Sequence, residues 1–254
     1  MSDFLRRNKL FLALCLTFLV TLGGALLYFP KGEMHLWLNP QHTPVLDAFM
    51  RSYTLVGEWI PYIVVALLLF YKAGWSVFLL ADVALSGLIG QGLKYLFDTD
   101  RPLRWFADNM PEVQLQLVDG VTMSKWYSFP SGHTTTFFAL FFTLAIILSE
   151  LSHHSNPSDP SDLSDPYRQS DPSASSASSR LSHSPLWITL GIILCFLLAV
   201  LGGYSRIYLS QHFAEDIFGG ALLGTLTTIL LWWGMSRWRN TPFWNWNLLS
   251  LRRK

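Results

Sequence analysis

Three short polar stretches interrupt an apolar chain, and between them they carry groups able to hold a phosphate and move it. The first supplies Lys94, Arg101 and Pro102, the second Pro130, Ser131, Gly132 and His133, and the third Ser205, Arg206, His212 and Asp216. Three cations, two imidazoles and a carboxylate beside a small turn suit an oxyanion that is passed to a ring nitrogen. His212 and Asp216 stand four residues apart, one helical turn along a shared face. The carboxylate can accept a hydrogen bond from one ring nitrogen, fixing the tautomer and leaving the other nitrogen to attack phosphorus. Arg206 adds a planar fork for phosphate oxygens, which a lysine would not match.

The other two stretches are readable in the same physical terms. Seven positions along a helix separate Lys94 from Arg101 by about 10 Å, two turns on one face. Pro102 biases Arg101 away from helical geometry, which predicts a helix end near Asp98 and an Arg101 folded back over Lys94. Taken alone, these are also an ordinary snorkelling lysine and interfacial arginine at a span end. Pro130 and Gly132 shape a tight turn, and Ser131 can cap the helix that follows. Free N–H groups and the positive dipole end there make an anion cradle, with His133 in the first turn above it. Four matching residues recur by chance, so their weight comes from the neighbouring stretches.

The order and spacing of these residues resemble the signature of the type 2 phosphatidic acid phosphatase (PAP2) superfamily, with every motif position matched. That resemblance implies catalytic roles for His212, His133 and Asp216. His212 would take the phosphoryl group as a phosphohistidine, His133 would protonate the leaving oxygen, and water would then release phosphate. Lys94, Arg101, Ser131, Gly132 and Arg206 would surround the oxygens, with no metal and no cofactor required. A bell-shaped pH dependence would follow, because His212 must be neutral to attack and His133 protonated to donate.

The elements that position these residues are membrane helices. Of 254 residues, 51% are hydrophobic and only 14% charged, beyond the usual range of soluble domains. A net charge of +1 offers no basic face for nucleic acid. Apolar runs of about the length a bilayer requires predict six spans over 9–29, 54–71, 74–97, 133–151, 185–204 and 213–236. The fold class expected is an all-α six-transmembrane bundle forming a single domain over 1–254. Arg6, Arg7 and Lys9 precede the first run, as in a signal peptide, but its length and the lack of an A-x-A site favour an uncleaved helix. Lys and Arg outside the motifs cluster on the side of the termini, predicting cytoplasmic termini. All three motifs then share the opposite face, the periplasm for a bacterial inner-membrane protein.

Residues 152–184 repeat Ser-Asp-Pro at 158–160, 164–166 and 170–172, a composition that reads as a disordered cytoplasmic loop. Cys15 and Cys195 lie in apolar runs and read as buried small hydrophobes. Trp59, Trp75, Trp126, Trp187, Trp232, Trp233 and Trp238 fall near span ends, as an aromatic belt does, and Trp244 and Trp246 are expected in the headgroup region. Glu58 and Asp82, costly in hydrocarbon, should face the protein interior.

A phosphate site at the headgroup level implies a lipid substrate. Phosphatidic acid, phosphatidylglycerophosphate, undecaprenyl pyrophosphate and lipid A phosphate all qualify. Hydrolysis is the expected reaction, with the membrane lipid phosphate and the bilayer as partners and no nucleic acid. Three rivals remain open: transfer from His212 to a second lipid, a catalytically silent lipid-binding protein, and a transporter. The last would place its polar groups near the membrane midplane in repeated halves.

Overall fold

A chain this apolar must satisfy its backbone away from water, and within one segment only a helix pairs every N–H and C=O. The computed structural model describes residues 2–39, 42–154 and 186–253, and no strand occurs among the described residues. In chain order the helices are α1 (Ser2–Arg7), α2 (Lys9–Tyr28), α3 (Lys31–Leu38), α4 (Pro44–Thr54), α5 (Val56–Tyr71), α6 (Ala73–Phe97), α7 (Pro102–Asn109), α8 (Gly132–His154), α9 (Leu186–Tyr208), α10 (Ala214–Gly234) and α11 (Pro242–Asn245).

Five of these, α2, α6, α8, α9 and α10, are long and apolar enough to cross a membrane. At 16 residues, α5 rises about 24 Å, short of a ~30 Å hydrocarbon core. It meets α4 at a bend of 44°, and the pair together reaches spanning length. The all-α reading therefore holds, with six spans when the bent α4–α5 pair counts as one. The other notable boundary shift is α9, which continues past 204 to Tyr208. Ile207 and Tyr208 are buried there, and that burial keeps the helix going. Likewise α8 extends to His154, three residues into the stretch read as a loop; the rest of 152–184 lies outside the described residues.

The bundle is organised around α8, whose Phe137, Phe138, Leu140 and Phe142 are fully buried. One side of α8 meets α10 at backbone distance. A Cβ on Gly220 would lie 2.6 Å from the carbonyl oxygen of Ser131, and one on Gly224 would lie 2.4 Å from that of Thr135. Only glycine permits this approach. Asp82, fully buried on α6, accepts a 2.6 Å hydrogen bond from Thr228 Oγ1 of α10, which supplies the interior partner its position demanded. Cys15 and Cys195 are buried free thiols.

Away from the polar end, tryptophans do structural work that their positions in sequence conceal. Trp75, Trp232 and Trp244 are buried together, with ring centroids 5.5 Å apart for both Trp75–Trp232 and Trp75–Trp244. The belt expected for Trp75 and Trp232, and the headgroup position expected for Trp244, are corrected. Gly74 leaves the space that the Trp244 ring fills, and the Ala73 amide donates to Trp246 O at 2.7 Å. Trp59, Trp126, Trp187, Trp233 and Trp238 are exposed, as belt residues are.

Gly224→Ala should overpack the α8–α10 contact by about 1–3 kcal/mol and lower the melting temperature in detergent by ~5 °C. Gly87→Ala, where an added Cβ meets nothing within 4 Å, should leave it unchanged.

Candidate active site

The first motif behaves as its proline dictates. α6 stops at Phe97, and Asp98 takes a left-handed conformation (φ 38°) with its amide donating to Lys94 O. Arg101 is extended and Pro102 opens α7. The 98–101 turn then docks against the loop preceding α8. Lys94 Nζ donates to Tyr127 O at 2.8 Å and Arg101 Nε to Trp126 O at 3.0 Å. The Ser128 amide donates to Thr99 O and the Phe129 amide to Thr99 Oγ1, both at 2.9 Å. First and second motifs are thereby held side by side.

The second motif is fastened to the third. Ser131 is fully buried and its Oγ accepts from Thr134 Oγ1 at 3.0 Å and, more weakly, from the Thr134 amide at 3.4 Å, the capping role its position foretold. Its own amide donates to Asp216 O at 3.0 Å. A Cβ on Gly132 would meet nothing within 4 Å, so the approach to this helix start is open. His133 Nε2 lies 2.9 Å from Glu58 Oε1, a partner contributed by α5.

His212 sits almost fully buried in the turn between α9 and α10, which corrects the helix face it was expected to share with Asp216: α10 begins only at Ala214, with Phe213 as its N-cap. Its Nδ1 lies 3.2 Å from Asp216 Oδ2. That same oxygen accepts from the Phe213 amide at 2.9 Å and from the Ser128 hydroxyl. An ionised carboxylate only accepts, so Nδ1 carries the hydrogen and Nε2 presents its lone pair. Among the described residues, Nε2 has no hydrogen-bond partner. Burial first, then the charges of Arg101, Arg206, Lys94 and His133, hold the His212 imidazole well below its ordinary 6.5. Those charges act on it because all three motifs converge on one end of the bundle.

Arg206, in the last turn of α9, is buried with its Nη1 donating to Thr54 Oγ1 at 2.7 Å. Its Nη2 reaches Gln211 Oε1 at 3.4 Å, and Arg101 Nη1 reaches the same oxygen at 3.2 Å. Its Nε is buried without a partner among the described residues. Lys94, Arg101, Ser131, Gly132, His133, Arg206, His212 and Asp216 thus all occupy one rim.

Glu58, Thr54, Ser128, Gln211 and His35 join them without having been singled out for these roles. Ser128 and Gln211 flank motif residues in the chain, and adjacency is their only signal in the sequence. His35, on α3, is buried between the rings of Phe106 and Phe213, with Nε2 3.4 Å from Ser210 Oγ. Asn39 Nδ2 donates to Ile207 O and Tyr208 O. Together they brace the turn that carries His212, in which Ser210 has φ 51°.

An all-helical bundle with membrane-length spans, its cations and imidazoles gathered at one end, is an integral membrane protein. The chain belongs to the PAP2 superfamily, whose profile matches residues 75–240. Two solved structures are similar in fold. Aquifex aeolicus LpxE shares 23% identity at a TM-score of 0.53, covering 78% of this chain and 92% of its own. The first transmembrane PAP2 type phosphatidylglycerolphosphate phosphatase from Bacillus subtilis shares 22% at a TM-score of 0.57, covering 94% and 99%. No curated protein matches the sequence.

Two outcomes are expected from this geometry. Ser128→Ala removes a donor to the Asp216 carboxylate and should lower kcat about tenfold, the scale of a hydrogen bond to a charged group, with the melting temperature little changed. His35 is pushed down to about 4 by burial. Between pH 6.5 and 4 the unfolded chain takes a proton there that the folded chain refuses, so stability falls as the pH falls. The loss from His35 should be ~2 kcal/mol at pH 5, and melting curves of His35→Phe from pH 7 to 5 should be correspondingly flatter.

Proposed function

We propose that the protein is a lipid phosphatase working through a phosphohistidine at His212. The observation that carries this reading is a buried imidazole within reach of the charges of Arg101, Arg206 and Lys94. Its Nδ1 lies 3.2 Å from Asp216 Oδ2, and its Nε2 has no hydrogen-bond partner among the described residues. Nε2 attacks phosphorus, a P–N bond forms, and the P–O bond to the lipid breaks. The departing oxygen takes the proton of His133, displacing Glu58 from His133 Nε2. Water then attacks the phosphohistidine, gives its proton to His133, and breaks the P–N bond to release inorganic phosphate. Transfer of this kind depends chiefly on positioning and charge stabilisation, which cations and the open helix start at Ser131 and Gly132 would supply. A single well-placed donor in such a site contributes roughly 3 kcal/mol.

The membrane location supports a substrate whose phosphate or pyrophosphate is carried on a lipid. One structural neighbour bears the name of a phosphatidylglycerolphosphate phosphatase, which makes that lipid the first to try. Among the described residues no group of three His, Cys, Asp or Glu is arranged to hold a metal ion, and the cations would take a metal's part in neutralising the phosphate. The three motifs would face the periplasm, with both termini cytoplasmic.

The deciding experiment measures phosphate release by the purified protein from phosphatidic acid, phosphatidylglycerophosphate and undecaprenyl pyrophosphate, with and without chelator. Release from at least one lipid, undiminished by chelator and lost in His212→Ala by at least ~10³-fold, is expected. Activity that survives His212→Ala, or that requires magnesium, would overturn the reading. Because His212 stays neutral well below pH 6.5, the acid limb of kcat/KM should lie below that pH, and an acid limb at pH 7 would contradict the assignment.

A further inference from the structure

We infer that Gln211 is a positioning residue that holds Arg101 and Arg206 together as one two-pronged anion clamp. This rests on the phosphatase reading above, but the observations behind it are separate. Two guanidiniums facing a common site repel each other, and the more so where water is scarce. Between these two stands a neutral carbonyl. Gln211 Oε1 accepts from Arg101 Nη1 at 3.2 Å and from Arg206 Nη2 at 3.4 Å.

The amide cannot turn the other way. Its Nε2 donates to Thr122 O at 3.0 Å, a backbone acceptor that would be lost if the amide flipped. The residue is almost fully buried. Its own backbone is fixed too, since its amide donates to Arg206 O at 2.9 Å and its carbonyl receives Arg101 Nη1 at 3.4 Å. Gln211 therefore connects the 98–101 turn, the end of α9 and the 122–128 loop immediately before His212.

Neutrality is the point of a glutamine here. A carboxylate of the same shape would pair with both arginines more strongly, and would also cancel the charge that draws in a phosphate. A fold-only role and a clamp role therefore make opposite predictions for Gln211→Glu. If the residue merely braced the turn, glutamate, which cannot donate to Thr122 O, would lower the melting temperature and leave anion affinity unchanged. If it keeps two arginines close yet fully charged, glutamate weakens anion binding itself.

The test is binding of inorganic phosphate and orthovanadate to the full-length protein in detergent by calorimetry, with melting temperatures measured alongside. Gln211→Glu should still melt cooperatively, showing a folded protein, and bind either anion at least tenfold more weakly. Gln211→Met should also lose about tenfold, as the arginines separate. With a lipid phosphate as substrate, the change should fall mainly on KM. Anion affinity within twofold of wild type in a folded Gln211→Glu would overturn the clamp while leaving the phosphatase reading standing. Wild-type protein that binds neither anion would remove both.

Discussion

The arrangement depends on how closely the first turn of α8 approaches the second and third turns of α10. Gly220 lies against the Ser131 carbonyl and Gly224 against that of Thr135, and the Ser131 amide closes the contact by donating to Asp216 O. Without side chains in the way, two helix starts lie together at one rim, each with unpaired N–H groups and a positive dipole end. The anion cradle and the residue that orients His212 become parts of a single junction. Lipid offers little hydrophobic drive for helices to associate, so close van der Waals contact between small residues has to provide it.

From that junction outward, the site is assembled by carbonyl oxygens. Lys94, Arg101 and Gln211 all donate to backbone oxygens of the 122–128 loop. Four positive or potentially positive groups act on His212, a concentration of charge that is tolerated because neutral acceptors are distributed among the cations. The same concentration, added to burial, pushes the His212 imidazole well below its ordinary 6.5. The bracing from His35 and Asn39 on the α9–α10 turn holds that ring in a place shielded from solvent.

Much of this was legible in the chain. Hydrophobic run length locates the spans, since a bilayer imposes one length on every helix that crosses it. Pro102 foretold the end of α6 because that follows from local geometry. The four-residue spacing did pair His212 with Asp216, but through the turn ahead of α10 and not along a shared helix face. What local rules do not reach was missed. The burial of Trp75, Trp232 and Trp244 depends on a gap that Gly74 leaves for a ring 170 residues away. Glu58 meets His133 across 75 positions of chain, where the first turn of α5 lies against the start of α8.

The sequence by itself determined the membrane class, the helical spans and the family signature, since each of these rests on composition or on spacing within one segment. Tertiary structure alone decided which neutral groups stand between the charged ones. Ser128 against Asp216, Thr54 against Arg206 and Gln211 against Arg101 are contacts between segments far apart in the chain. The groups that stand there are hydroxyls and a side-chain amide that many residues share, so no pattern of residue types marks them in advance. Only the packing of the bundle brings a given oxygen within 3 Å or so of a given cation.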